Sequence, residues 1–285
     1  MAVSKKFLVT GATGQQGGAV ARELLARGYN VRAMTRKPKE EKAQALAKLA
    51  AEIIQGDLDD SASLERATKD VWGVFAVQNT WEAGVEKEQQ QGIRFAEVSR
   101  KSGVQHFVYS SVGSAHRNTG IPHFDNKWRV EETVRSLDFP SYTIIRPAFF
   151  MENFISPWFK PGIDEGKLMV GIQPDTVLQM IAVEDIGKYG AWAFEKHEQL
   201  NGRAIDIAGD ACTMPEVAKI IGSACGKKVE FIRTPIEEVR KFSEDFAIML
   251  EWFDAVGYDV DIDAVSQESG IQPTTLAEWA SKIDW

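Results

Sequence analysis

Short apolar runs alternate with helical patterns through the first half of the chain. Runs rich in β-branched and aromatic residues at Phe7 to Thr10, Val31 to Thr35, Ile53 to Gly56, Val71 to Val77, His106 to Ser110 and Tyr142 to Ile145 predict six strands. Most are bounded by Gly, Asp or Ser. Between the first two, Val20/Leu24 and Ala21/Leu25 recur at helical spacing, so a helix is expected from Gln15 to Arg27, stopped by Gly28. Gly84 to Ser102 and Asn126 to Leu137 read as further crossover helices. Strands alternating with helices make βαβ units, and right-handed crossovers place the helices on both faces of a parallel sheet. The expected fold class is therefore α/β, a doubly wound parallel sheet.

After Arg146-Pro147 the alternation loosens into aromatic, Pro-containing sequence, where a smaller C-terminal α+β subdomain is expected to begin. The helical stretch Val183 to Lys196 and the strand-like Arg203 to Ala208 rejoin the sheet. This divides the chain into a larger domain, 1–152 with 178–209, and a smaller subdomain, 153–177 with 210–285. With 285 residues and 44% hydrophobic content, the core can be substantial.

A formal charge of −8, without a Lys/Arg run to offset it, argues against nucleic acid or an anionic membrane as partner. No apolar run approaches about 20 residues, and no signal-like segment precedes Phe7, so a cytoplasmic location is expected. Cys212 and Cys225 lack Cys-x-x-Cys spacing, and the four histidines lack paired spacing, so neither a disulfide framework nor a metal is expected.

Candidate chemistry begins after the first strand, at Gly11-Ala-Thr13-Gly14-Gln15-Gln16-Gly17-Gly18. Gly11 permits a tight turn, Gly14 lets backbone approach a pyrophosphate, and Gly17 lets helix and strand pack closely. The following helix offers unpaired N–H groups to an anion. A glycine triplet between a strand and a helix within one βαβ unit is the context that a Rossmann dinucleotide site requires. NAD-selective sites place a carboxylate after the second strand. Here the position reads Thr35-Arg36-Lys37, with two cations to meet a 2′-phosphate, so NADP(H) is favoured. Charged hydrogen bonds contribute about 1.5–3 kcal/mol, a preference of about 10- to 150-fold.

With these residues the chain resembles the NmrA-like branch of atypical, extended short-chain dehydrogenase/reductases, and within it the branch that holds a redox sensor. The resemblance runs nearly end to end and rests on Val9 to Gly18, Val31 to Arg36, His123-Phe-Asp-Asn-Lys127, Arg146 to Asn153 and Val183-Glu-Asp-Ile-Gly187. It implies that Asp57 and Leu58 flank the adenine and that Gln78, Asn79 and Thr80 lie along the middle of the cofactor. It also implies that Lys127 binds the nicotinamide ribose while Phe149, Phe150, Met151 and Asn153 line the nicotinamide end.

Active short-chain dehydrogenases use Tyr-x-x-x-Lys; this chain has His123-x-x-x-Lys127. If the segment is helical, the two side chains share a face. Histidine, with an ordinary pKa of about 6.5, or the lysine itself would then be the acid of an NADPH-dependent reductase. Trp81, Phe124, Phe154 and Trp158, with Phe159, Trp252 and Tyr258, are candidates to wall an apolar pocket for a small aromatic substrate, although core packing would also use them. Ser110 and Ser111 either bond a substrate carbonyl or satisfy local backbone. The alternative is a non-catalytic NADPH/NADP⁺ sensor that regulates a protein partner. Epimerase or dehydratase chemistry would want the missing tyrosine. The sequence leaves room for a homodimer.

Overall fold

The structure, a computed structural model, describes residues 5–285; positions 1–4, at the head of the expected larger domain, lie outside the described residues. Strand β1 (Lys6–Val9) leads into α1 (Gln15–Ala26), then β2 (Asn30–Thr35), α2 (Glu41–Lys48), β3 (Glu52–Gln55), α3 (Ser61–Thr68) and β4 (Gly73–Ala76). After these come α4 (Thr80–Ala83), α5 (Val85–Lys101), β5 (His106–Ser110), α6 (Pro122–Ser136), β6 (Ser141–Pro147), β7 (Phe149–Phe150) and α7 (Lys160–Asp164). The chain continues through β8 (Lys167–Val170), β9 (Val177–Ile181), α8 (Val183–Glu195), β10 (Arg203–Ile207), β11 (Asp210–Thr213) and α9 (Met214–Cys225). It closes with β12 (Glu230–Arg233), α10 (Ile236–Phe242), α11 (Glu244–Ala255), α12 (Ile262–Ser269) and α13 (Leu276–Ser281).

Seven strands form one sheet in the order β10-β6-β5-β4-β1-β2-β3, and every pairing is parallel. This is the doubly wound α/β sheet expected, with Arg203–Ile207 as the seventh strand at the edge. The chain reverses its direction of travel between β1 and β4. Crevices open at such switch points, beyond the carboxyl ends of the strands. Apolar residues of α1 and α8, including Val20, Leu24, Ile186 and Tyr189, pack against one face. Leu64 of α3, Phe95 of α5 and Val130 of α6 pack against the other. The two helices on the first face meet because glycines let them: a Cβ at Gly187 would lie 2.8 Å from the Ala19 carbonyl oxygen.

The region expected to loosen is regular but built from short pieces. Strands β11-β9-β7 make a three-stranded sheet and β12-β8 a two-stranded one, and both border a third apolar cluster that includes Leu178, Val217 and Leu250. Buried acceptors tie the C-terminal segment to this frame. Asp185, fully buried, accepts from the Thr274 backbone N–H at 2.6 Å and from Lys188 at 2.7 Å. Glu152 accepts from the Val183 N–H and from Trp279 Nε1. Among the described residues no helix is long and apolar enough to cross a membrane.

Helix α6 starts at Pro122, four residues before the expected start. Proline suits the first turn, where its missing N–H is no loss. The helix is anchored to β6 by a buried ion pair: Arg146 donates to Glu131 through Nε at 2.9 Å and Nη2 at 2.6 Å. Breaking such a pair from one side strands a buried charge and costs about 3–5 kcal/mol.

At the opposite end of β5, His106 is fully buried, with Nδ1 2.9 Å from the Ser141 hydroxyl. Burial, and then the neighbouring His197, pushes its imidazole down to about 3. The folded protein therefore keeps His106 neutral while the unfolded chain takes up a proton near pH 6.5, the ordinary histidine value. This contribution to stability is present above pH 6.5 and is lost as the pH falls toward 3. In urea denaturation, the stability gap between wild type and His106→Gln is expected to shrink by about 1.4 kcal/mol per pH unit below 6.5. A gap independent of pH would contradict a neutral buried imidazole.

Candidate active site

The β1–α1 turn has the geometry of an anion cradle. Gly11 adopts φ +57°, a left-handed conformation that glycine takes without strain, and its carbonyl accepts from the Gly14 N–H at 2.8 Å. Gly14 caps α1 without any side-chain hydrogen bond, so the first-turn N–H groups are left for an incoming anion. A Cβ at Gly17 would lie 2.3 Å from the Thr10 carbonyl oxygen. The helix can approach the strand this closely only with glycine there. Gly14 and Gln15 are exposed and Thr13 half-buried, as a dinucleotide pyrophosphate would require. Gln16 instead turns inward and accepts from the Ser110 hydroxyl at 2.6 Å, which gives that serine a structural partner.

At the end of β2 the two cations are already paired. Arg36 bonds Glu82 of α4, and Lys37 bonds Glu40 at 2.7 Å. No acid stands beside them in sequence at the end of β2, but Glu82, 46 residues further on, reaches Arg36 from the neighbouring crossover. Its hydrogen bond holds the Arg36 guanidinium above its ordinary range against the opposing effect of burial, with Asp57 and Asp59 adding at longer reach. Asp57 and Leu58 sit just beyond β3, where the Asp57 carboxylate accepts from the Asp59 N–H at 3.0 Å.

Beyond β4 the residues separate. The Gln78 side chain is buried against α5 and α6, where a Cβ at Gly92 would lie 3.2 Å from its Oε1, so its amide faces the helices. Asn79 caps α4 by accepting from the Trp81 N–H at 3.1 Å. The Thr80 hydroxyl donates to Glu88. Glu88, only 1% exposed, also accepts from Asn126 Nδ2 and Lys127 Nζ, each at 2.6 Å. Burial pushes the Glu88 carboxyl up, but the Lys127 charge and these hydrogen bonds outweigh it and hold it below the ordinary carboxylate range.

One helical turn before Lys127, His123 Nδ1 bonds the Asp245 carboxylate of α11. The Trp81 ring lies 5.2 Å from the His123 ring, centroid to centroid, and is 66% exposed. Phe149 and Phe150 form β7 beside β9; buried Met151 and half-buried Asn153 follow directly. Four of the expected wall residues are corrected. Phe124 and Phe154 are 1% exposed and Phe159 and Trp252 9%, all filling the apolar cluster that borders the smaller sheets, where Phe124 packs against Tyr258 and Phe154 against Phe159. Trp158, 71% exposed, stacks edge-on against Phe242 at 5.0 Å, away from the core.

Glu82, Glu88 and Asp245 did not emerge from the sequence. For Glu88 a signal existed: with Gly92, Phe95, Ala96 and Ser99 it lies on the buried stripe of α5, and a charge there demands a partner. Asp245 left no such mark, since its contact with His123 spans 122 residues.

The profile of the NmrA-like family matches residues 3–280. An NmrA-like family domain-containing protein of Dictyostelium discoideum is 30% identical over 272 residues, covering 90% of this chain and 89% of that protein. An NmrA-like family domain-containing oxidoreductase of Malbranchea aurantiaca is 30% identical over 256 residues, covering 80% and 76%. Two solved structures share the fold. Triphenylmethane reductase of Citrobacter sp., complexed with NADP(H), has a TM-score of 0.80 at 21% identity, covering 98% of this chain and 99% of that one. NmrA, a negative transcriptional regulator in complex with NADP, also has a TM-score of 0.80, at 20% identity, covering 99% and 96%.

Gly17→Ala tests the cradle. The added methyl has to lift α1 off β1, so thermal unfolding should register a loss of about 1–3 kcal/mol and cofactor titration a loss of binding. Unchanged binding would show that the turn does not hold the pyrophosphate.

Proposed function

The chain belongs to the NmrA-like family, and on that premise we propose that it is an NADPH-dependent reductase of a small apolar or aromatic substrate. The observation that carries this reading is the pairing of His123 with Asp245 one turn from Lys127, at a rim where Trp81 is exposed. The free α1 N-terminus and Gly14 take the pyrophosphate, with Thr13 and Gln15 beside it; Arg36 and Lys37 take the 2′-phosphate; Asp57 and Leu58 flank the adenine. Lys127 holds the nicotinamide ribose. Phe149, Phe150, Met151 and Asn153 form the floor of the nicotinamide end, and residues 153–177 with 210–285 close the substrate side.

NADPH, when bound, supplies a hydride. A polar double bond of the substrate would take that hydride at one atom and a proton from this chain at the other. His123 is the proton donor. With Nδ1 directed at Asp245, Nε2 is the nitrogen left to carry a transferable proton, and solvent restores it after release. Asp245 is a positioning residue: it fixes the ring orientation through Nδ1. Glu88 aims Lys127 by accepting from its Nζ, and the lysine's remaining N–H groups are donors for the ribose.

A second reading has its own support. Lys127 is engaged by a buried carboxylate, as ribose binding without turnover would allow, and the fold is shared with a negative transcriptional regulator. In that case the protein reports the NADPH/NADP⁺ ratio to a protein partner.

An NADPH-consumption screen with quinones, enones, imines and aldehydes separates the two. Turnover should be faster with NADPH than with NADH, and His123→Ala or Lys127→Ala should lower kcat by about 10²-fold or more. Asp245→Asn should lower it less. Absence of turnover, or turnover indifferent to both alanine changes, would remove the reductase; pull-downs with apo, NADP⁺-loaded and NADPH-loaded protein would then test the sensor, which predicts different partners.

A further inference from the structure

Three consecutive residues of α4 reach three different parts of the cleft. The Thr80 hydroxyl donates to Glu88, the carboxylate that holds Lys127. The Trp81 ring lies 5.2 Å from that of His123. Glu82 pairs with Arg36. The helix has four residues, none buried, and is followed by Gly84 at φ +85°. No core residue anchors it, so beyond the Asn79 cap and its neighbour α5 these three side-chain contacts hold it in place.

The Arg36–Glu82 pair is 56% and 54% exposed, and exposed pairs contribute about 0–1 kcal/mol. A phosphate dianion offers a guanidinium more charge and a better bidentate fit than a carboxylate does. Of the other acids near Arg36, Asp57 and Asp59 act only through charge at longer reach, and Asp59 is also engaged by Lys87 at 2.8 Å and Arg94 at 3.5 Å, so Glu82 is the carboxylate bonded to Arg36 and in direct competition.

We propose that Glu82 is a specificity-determining residue. It occupies Arg36 until the 2′-phosphate of NADP(H) displaces it, and its release shifts α4, moving Trp81 from His123 and Thr80 from Glu88. The proposal rests on the reading of Arg36 as the phosphate-binding residue. NAD(H), without the phosphate, leaves the pair closed. The two cofactors are then distinguished at the proton-donor end as well as at the adenosine, and by linkage whatever moves Trp81 from His123 also favours phosphate on Arg36.

The experiment uses adenosine 2′,5′-bisphosphate and AMP, fragments too short to reach His123. Binding is measured by calorimetry and the His123 imidazole resonance by NMR. The bisphosphate should shift that resonance and AMP should not. Glu82→Gln should tighten bisphosphate binding about two- to fivefold, the range of an exposed ion pair, change AMP binding by less than about twofold, and bring the His123 resonance toward its bisphosphate-bound position without ligand. Arg36→Gln should weaken the bisphosphate and cancel the effect of Glu82→Gln. If Arg36→Gln weakens the bisphosphate but Glu82→Gln changes nothing, competition by Glu82 is overturned and the NADP(H) reading stands. A bisphosphate-to-AMP preference unaffected by Arg36→Gln overturns both. A His123 resonance indifferent to the bisphosphate overturns transmission through α4.

Discussion

A carboxylate kept from water stays ionised only if its surroundings replace the lost hydration, and Glu88 imposes that demand on the centre of this molecule. Thr80, Asn126 and Lys127 answer it from two other helices. Meeting the demand requires α5 and α6 to lie close together, which Gly92 allows: a Cβ there would fall 2.7 Å from Val130 Cγ2. The same contact that neutralises Glu88 fixes the direction of the Lys127 ammonium. Helix α6 repeats the arrangement at one-turn intervals, with His123 on Asp245, Lys127 on Glu88 and Glu131 on Arg146. One helix thus carries two ion pairs and a histidine–carboxylate hydrogen bond, which join it to α5, β6 and α11.

These pairs also set the electrostatics of the cleft. Arg36, Lys37, His123 and Lys127, the basic groups expected to serve the cofactor and substrate, each face a carboxylate. A protein with a formal charge of −8 can still accept an anionic dinucleotide. On the proposed reading, exchange of partners at exposed pairs and the uncharged N–H groups of α1 would admit it, while the buried pairs stay intact. Exposure separates the two roles: the side chains of Lys127 and Glu88 are 12% and 2% exposed, and those of Arg36 and Glu82 more than half.

The parts of this design that depend on local sequence were legible in it. Alternating β-branched runs placed the six strands of the N-terminal half within a few residues, and the glycines after β1 located the cradle, because strand period and turn geometry are properties of neighbouring residues. Helices α2 and α3, of eight residues each, gave too little periodicity to declare themselves. The short strands β7, β8, β9 and β11 acquire their identity only by pairing with distant partners, as Phe149 does with Met180. The site divides in the same way. Gly11, Gly17 and the spacing from His123 to Lys127 are local. The acids that complete the site come from 46, 39 and 122 residues away from Arg36, Lys127 and His123, and no spacing rule anticipates them. Aromatic residues were the least decisible class, since Phe124 and Trp81 carry similar hydrophobicity and end on opposite sides of the surface.

Glu152 joins positions far apart in the chain. It follows Met151 directly, and its carboxylate accepts from both the Val183 N–H and the Trp279 indole, 127 residues away. The last helix is therefore a brace for the floor of the cleft. A change that removes the Trp279 indole strips a donor from Glu152, and its effect is registered beside Met151 rather than in the last helix alone.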